Sequence, residues 1–290
     1  MKALSVIIVT YNSEPDIYEC LEALFAHNDL DEALEVIVVD NNSSAYAHML
    51  EEIQRLYDTR VTVLSNPRNG GYGQGNNIGI AHATAPVILI MNPDVRWQTG
   101  SFKAITEAYA ADPNLALYGF KQQTMSGQRA VSFCYTNCCS GWKRSIGTFL
   151  MNRFDLYRPE QMCMAGACFS VRKEMFESIG GFDESIFLYS EENDIHYRLR
   201  EHFPKSVMRY NPQILYRHRC ENREFSETAY RQQIESNLYV CRKQKKDPRT
   251  YLINEEKNIR IVRRLKRLTG STNTIPLLDR KLAIVHSYIQ

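Results

Sequence analysis

Glu191, Glu192 and Asp194 place three carboxylates within four residues. They follow Gly180-Gly181-Phe182-Asp183 and the apolar run Phe187-Leu188-Tyr189. Like charges held this close disfavour one another's ionised form, so at least one carboxyl of the group keeps its proton to higher pH. An exposed loop has little reason for that arrangement, whereas a site that holds a base has one. A second acidic position, Asn92-Pro93-Asp94, ends the apolar run Pro86 to Met91. A carboxylate there can bind Mg2+ or Mn2+ together with a diphosphate, because hard cations want oxygen ligands and retain water. The same tripeptide also favours a plain turn. Asp40 follows Val36 to Val39 and precedes Asn41-Asn42-Ser43-Ser44. It can accept from a ribose hydroxyl or a base N–H, or it can cap a helix. His218 lies between Arg217 and Arg219. It is open to metal binding, to phosphate neutralisation alongside its arginines, and to a structural or surface role.

A glycine-rich element, Asn69-Gly70-Gly71-Tyr72-Gly73-Gln74-Gly75-Asn76-Asn77, lies between Asp40 and Asp94. Glycines let a backbone approach a ligand closely, and a helix opening behind them offers N–H donors to a phosphate. The spacing is wrong for the dinucleotide fingerprint. A flexible turn is the bland alternative.

The elements around these residues must hold them at strand ends. Leu4 to Val9 is an apolar run, as a strand buried on both faces should be, Val36 to Val39 reads as a second buried strand, and Val61 to Leu64 and Val87 to Met91 read as the third and fourth. Ile17 to Phe25, Met49 to Tyr57, Gly75 to Ala83 and Phe102 to Tyr109 read as the helices between and after them. That rhythm predicts an α/β fold, a largely parallel sheet covered on both faces. Residues 119–160 lose the rhythm and read as a long irregular binding segment. Ala165 to Val171 reads as a strand, Met175 to Ile179 as a short helix, and Asp194 to Arg200 as another.

Composition sets the outer bounds. The chain has 290 residues and 44% hydrophobic content, enough for one α/β domain with an extension. Net charge is +2, so nothing global draws it to nucleic acid. Its eight cysteines, Cys138 and Cys139 among them, form no CxxC pair, so a zinc site is not expected. Met1-Lys2-Ala3 leads straight into the first strand, without a signal-peptide pattern, and no apolar run is long enough for a membrane span. A cytosolic, reduced protein is the expectation.

Taken together, these residues resemble the family 2 glycosyltransferases with the GT-A fold. The resemblance runs through Ser5 to Asn12, Val36 to Ser43, Asn69 to Gly79, Asn92-Pro93-Asp94 and Gly166 to Arg200. Gly-Gly-Tyr-Gly together with Asn-Pro-Asp-Val looks especially like the rhamnosyltransferase-like branch. That branch uses dTDP-L-rhamnose in bacterial surface-polysaccharide assembly. The resemblance implies an inverting transferase that moves a sugar from a nucleotide-sugar donor to a saccharide or polyprenyl-linked acceptor. By position it implies that Thr10, Tyr11, Asn12, Asp40 and Asn42 hold the donor, with Gly71, Gly73, Asn76 and Asn92. Asp94 and His218 would hold Mg2+ or Mn2+. Glu192 would be the general base, with Glu191 in support or touching the acceptor. Asn92 stands where many relatives carry the first Asp of a DxD motif, so the metal site has one negative charge fewer. Two alternatives stand beside this: a different hexose donor, and a non-catalytic sugar-nucleotide-binding protein of the same fold.

The resemblance places the catalytic domain at residues 1–225 and a basic helical extension at 226–290. In the extension, Ile259, Val262, Leu265 and Leu268 interleave with Arg260, Arg263, Arg264, Lys266 and Arg267. Such a stripe suits an anionic membrane surface, packing on the catalytic domain, or a homodimer. Trp142, Phe133 and Tyr135 are candidates for stacking on acceptor sugar rings, or for ordinary packing.

Overall fold

The computed structural model describes residues 1–136, 141–220 and 224–289. Strand β1 (Leu4–Thr10) leads into α1 (Glu14–Ala26), then β2 (Leu34–Asp40), α2 (Tyr46–Tyr57), β3 (Val61–Ser65), α3 (Gly71–His82) and β4 (Val87–Met91). Then come β5 (Val95–Trp97), α4 (Phe102–Ala111), β6 (Leu115–Gln123), β7 (Phe133–Tyr135), α5 (Thr148–Arg153), β8 (Met162–Met164) and β9 (Cys168–Arg172). After these follow α6 (Lys173–Ser178), α7 (Glu191–His202) and β10 (Val207–His218). Helices α8 (Glu227–Lys243), α9 (Pro248–Leu268) and α10 (Ile275–Ile289) complete the described chain.

Eight strands make one sheet in the order β3-β2-β1-β4-β9-β6-β10-β5. β3, β2, β1 and β4 pair in parallel, and β6 pairs in parallel with β10. Only β9 and the edge strand β5 run against their neighbours. β7 and β8 form a separate two-stranded sheet. Successive strand side chains point to opposite faces, so the continuous apolar strands feed two layers. Leu4, Val6 and Ile8 of β1 join Ile17 and Leu21 of α1, Ile53 of α2 and Phe102 of α4 on one face. Ile7 joins Ile80 of α3 and Ile195 and Leu199 of α7 on the other.

Four expectations are corrected. Residues 119–160 are not irregular throughout: β6 enters the main sheet, β7 pairs with β8, and α5 follows. Gly119 hid β6; a Cβ there would lie 2.2 Å from Met164 Sδ, so close packing requires a residue that is poor in strands. β10 was concealed by Asn211-Pro212, which reads as a turn, and the pairing slips in register between Asn211 and Leu215. The strand expected at Ala165 to Val171 begins at Cys168, and α7 begins at Glu191, not at Asp194. Finally α3 begins at Gly71, so the glycines form its first turns. A Cβ on Gly75 would meet Val9 Cγ1 at 2.6 Å, and one on Gly79 would meet Ile7 Cγ2 at 2.5 Å. They let α3 lie close on β1.

The last three helices have a core of their own, including Ile234, Tyr251, Ile259 and Val285. α8 is nevertheless fastened to the segment before α7. Ser236 Oγ donates to Leu188 O at 2.8 Å, and Ser190 Oγ donates to Asn237 Oδ1 at 2.9 Å. No described helix is long and apolar enough to cross a membrane. None of the six described cysteines is in a disulfide, and Cys138 and Cys139 lie outside the described residues.

Candidate active site

β1 and β2 run in register from Leu4↔Leu34 to Thr10↔Asp40, so Thr10 and Asp40 are neighbours at the carboxyl edge of the parallel strands. Ligands of open α/β sheets bind at that edge. Both residues are buried. Asp40 Oδ2 accepts from Ser43 N at 2.9 Å, while Asp40 Oδ1 and Thr10 Oγ1 have no partner among the described residues. Buried acceptors left unpaired are costly, so two at one strand edge are open to bonds from a ligand or an ordered water.

A hollow of about 500 Å³ opens beside them, lined by Val9, Tyr11, Asn41, Gly71, Asn92 and Asp94, among others. A second, of about 270 Å³, is lined by Tyr72, Asn92, Glu191, Glu192 and His218. The two share Tyr72, Asn92 and Leu188. A third, of about 300 Å³, shares Gly166, Tyr189 and Glu192 with the second and reaches Arg144, Gln233 and Asn237. The three form one run, with the carboxylate pair at its middle.

Asp94 follows β4, and His218 ends β10; His218 Nε2 lies 3.2 Å from Asp94 Oδ1. One carboxylate and one imidazole suit a divalent ion that completes its shell with diphosphate oxygens and water. Among the described residues no group of three or more His, Cys, Asp or Glu is placed to hold a metal. Arg219 is engaged by Asp16, at 3.0 Å.

Tyr189 and Ser190 stand at φ 72° and 78°, two successive non-glycine residues in the left-handed region. Each costs about 1–3 kcal/mol and persists only where its surroundings impose it. Here α8 does so, through the bonds to Leu188 O and Ser190 Oγ. The turn delivers Glu191 and Glu192 to the start of α7. Burial pushes the Glu191 carboxyl well above the usual range, and Glu192 adds to it. Burial also raises Glu192. The dipole at a helix start favours carboxylates, but desolvation outweighs it here. His196, one turn on, is held neutral by burial, its pKa lowered to about 3. Its Nε2 accepts from Met164 N and its Nδ1 lies 2.7 Å from Glu192 O, tying the turn to β8. Asp194 is a different case. It is buried and neutralised by Arg198 at 2.6 Å and by Lys243 of α8 at 2.8 Å. It therefore anchors the helix and is no base.

Residues 5–180 match the model of glycosyl transferase family 2. The chain belongs to the family 2 glycosyltransferases. The glycosyltransferase is 28% identical over 225 residues to the N-acetylglucosaminyl-diphospho-decaprenol L-rhamnosyltransferase of Mycobacterium tuberculosis, covering 68% of this chain and 70% of that one. It is 26% identical over 257 residues to the rhamnosyltransferase WbbL of Escherichia coli, covering 82% and 92%. Among solved structures, the mannosyltransferase PcManGT of Pyrobaculum calidifontis, in complex with GDP-Man and Mn2+, superposes with a TM-score of 0.66. That match is at 14% identity over 99% of this chain and 86% of that one. S. aureus TarS 1–349 in complex with UDP gives 0.56 at 16% identity over 96% and 75%. These are likenesses of fold, and the fold is GT-A.

The family match ends before Glu191, so the placement of the carboxylate pair in this glycosyltransferase rests on the geometry above. That geometry brings Tyr11, Gly71, Asn92, Asp94, Glu191, Glu192 and His218 to the run of hollows, with Thr10 and Asp40 at its edge. Other candidates are engaged elsewhere. Asn12 Oδ1 accepts from Ser44 N and Ser44 Oγ at 3.0 and 3.1 Å, pinning the loop after β2. Asn42 is exposed at φ 65° and lines none of the three hollows. Gly73 packs on Phe182, and Asn76 is buried with Nδ2 donating to Tyr72 O. The start of α3 is not a free phosphate cradle, because Gly71 N donates to Asn69 Oδ1 and Tyr72 N to Phe187 O. Phe133 is fully buried in the core and cannot stack on a sugar, whereas Tyr135 lines the third hollow. Two residues escaped the sequence. Tyr72 stood inside the glycine run, the one signal available; its hydroxyl donates to Gly166 O at 2.7 Å. Gly166 faces Glu192 Oε1, which would lie 1.6 Å from a Cβ there.

Proposed function

We propose that this glycosyltransferase transfers L-rhamnose, with inversion, from dTDP-L-rhamnose to a saccharide or polyprenyl-linked acceptor in bacterial surface-polysaccharide assembly. One observation carries the mechanism: Asp94 and His218 share a continuous cleft with a raised carboxylate pair. The rhamnosyl donor is favoured by rhamnosyltransferases among the relatives. In this reading the unpaired Asp40 Oδ1 and Thr10 Oγ1 take hydrogen bonds from the nucleoside, and Asn92 contacts the donor between the first two hollows. Glu192 removes the proton of the acceptor hydroxyl as that oxygen attacks the anomeric carbon. The bond from that carbon to the diphosphate breaks, and its electron pair leaves with the nucleoside diphosphate. A divalent ion held by Asp94 and His218 would supply charge neutralisation at the departing diphosphate. With such a leaving group one base suffices, whereas a glycosidase also needs an acid to protonate its leaving oxygen.

Glu192→Gln should retain donor affinity and lose turnover by about 10²–10⁴-fold. Near-full activity in that variant would remove Glu192 from the chemistry. Asp94→Ala should abolish donor binding or its metal dependence in titration calorimetry with dTDP-L-rhamnose and Mn2+. An unchanged isotherm would take the ion away from Asp94. Binding of the donor without any turnover by the unaltered chain would return the non-catalytic alternative.

A further inference from the structure

Helix α5 faces the core with one apolar residue, Met151, and two polar ones. Thr148 and Asn152 are buried, and Asn152 bridges to β7, donating to Phe133 O and accepting from Ser132 N, both at 2.8 Å. Its outward face carries large apolar residues beside Arg153. Phe149 is 67% exposed and Leu150 45%, and just past the helix Phe154 is 64% exposed. At about 100° per residue, positions 149, 150, 153 and 154 fall on one face. Trp142 and Leu156 are also exposed, so five large apolar side chains meet water within fifteen residues. A folded chain has no internal use for this, and contiguous exposed apolar surface marks a contact site.

We propose that this face is where the enzyme rests on an anionic lipid surface. Charge chooses the occupant. Lys143, Arg153 and Arg158 lie in and around the segment, with Glu160 beyond them, while Arg144 is turned inward against Glu255 at 2.9 Å. Of its acids, Asp155 is already bound to Lys121 and Arg129, at 2.8 and 2.7 Å. Aromatic and aliphatic side chains rimmed by cations are what a headgroup region accepts. Position agrees. The turn Lys143–Gly147, which opens α5, brings Arg144 into the third hollow beside Glu192, and Gly147 packs on the Tyr135 ring. A lipid-linked acceptor arriving at that face therefore has a short path to the base. This last point rests on the proposed function; the docking surface itself does not. The basic stripe of α9 serves less well, since Ile259 is buried in the C-terminal core and Arg263 pairs with Asp279 at 2.8 Å.

The chain carries two tryptophans, and the second, Trp97, is buried in the core. Trp142 emission is therefore a reporter built into the face. The full chain should bind vesicles of phosphatidylcholine with phosphatidylglycerol, with a blue shift of its emission, and bind phosphatidylcholine alone weakly. The double variant Phe149→Ser, Phe154→Ser should lose vesicle binding by tenfold or more, with its melting temperature and its calorimetric affinity for dTDP-L-rhamnose unchanged. Lys266→Glu with Arg267→Glu should cost far less vesicle binding. Wild-type protein left in the supernatant, a double variant that pellets like wild type, or emission that does not move would each overturn the proposal. So would a vesicle-free dimer that the double variant dissolves, which would make the face a protein contact. Failure of donor binding would fall on the proposed function alone.

Discussion

Glu192 is positioned by what surrounds its carboxylate. Gly166 leaves room for Oε1, His196 holds its backbone, and burial raises its proton affinity. Gly166→Ala would push the carboxylate from its place. A misplacement of about 1 Å typically costs about 10²-fold in rate, so kcat should fall by that order while donor affinity holds. Steady-state kinetics with calorimetry checks this. The pH dependence also follows. A base must be ionised, and the Glu191–Glu192 pair titrates above the ordinary glutamate range. The acid limb of kcat/KM should therefore lie above that range. Stability runs the other way. Between the ordinary and the raised pKa the native state binds more protons than the unfolded chain, so stability falls as pH rises through that window. Glu191→Gln removes part of this cost. Its gain in melting temperature over wild type should be larger at about pH 8 than at about pH 5.

At the scale of elements, α7 depends on α8. Lys243 reaches both Asp183 and Asp194, at 2.6 and 2.8 Å. Burial alone would raise the Asp183 carboxyl, but Lys243, the Ser185 N–H and the Tyr239 hydroxyl bring it down to about 2. Lys243→Met should destabilise the protein by about 2 kcal/mol, the scale of a charge-assisted hydrogen bond lost from a buried acceptor. Chemical denaturation measures it. Turnover should fall as well, since the same helix holds the left-handed turn before Glu191. None of this was legible in the sequence. A lysine in a basic stretch reads as solvated surface, and a left-handed Tyr189-Ser190 leaves no mark when neither residue is glycine. The acids themselves were legible, because three carboxylates in four residues are expensive anywhere but at a site. Asp194 shows the limit of that argument: its charge serves the fold.

In the whole molecule, legibility follows burial. β1, β2 and β4 are largely buried and read as apolar runs, and the half-exposed β3 still carries Val61, Val63 and Leu64, so the parallel half of the sheet could be predicted. β6 and β10 carry Gly119 and Asn211-Pro212 for local packing and a slip in register, and their pattern dissolved. The last three helices keep a core of their own, yet side chains of α8 complete the walls around Glu192. The third hollow, with Gln233 and Asn237 on one side and Tyr135 on the other, exists only when both cores are present. This arrangement has a temporal side. On the ribosome the sheet and its nucleoside edge are made first, whereas Lys243 emerges after nearly everything that surrounds the carboxylates. On the proposed reading, a nascent chain would therefore complete the Thr10–Asp40 edge before it completes the walls around Glu192.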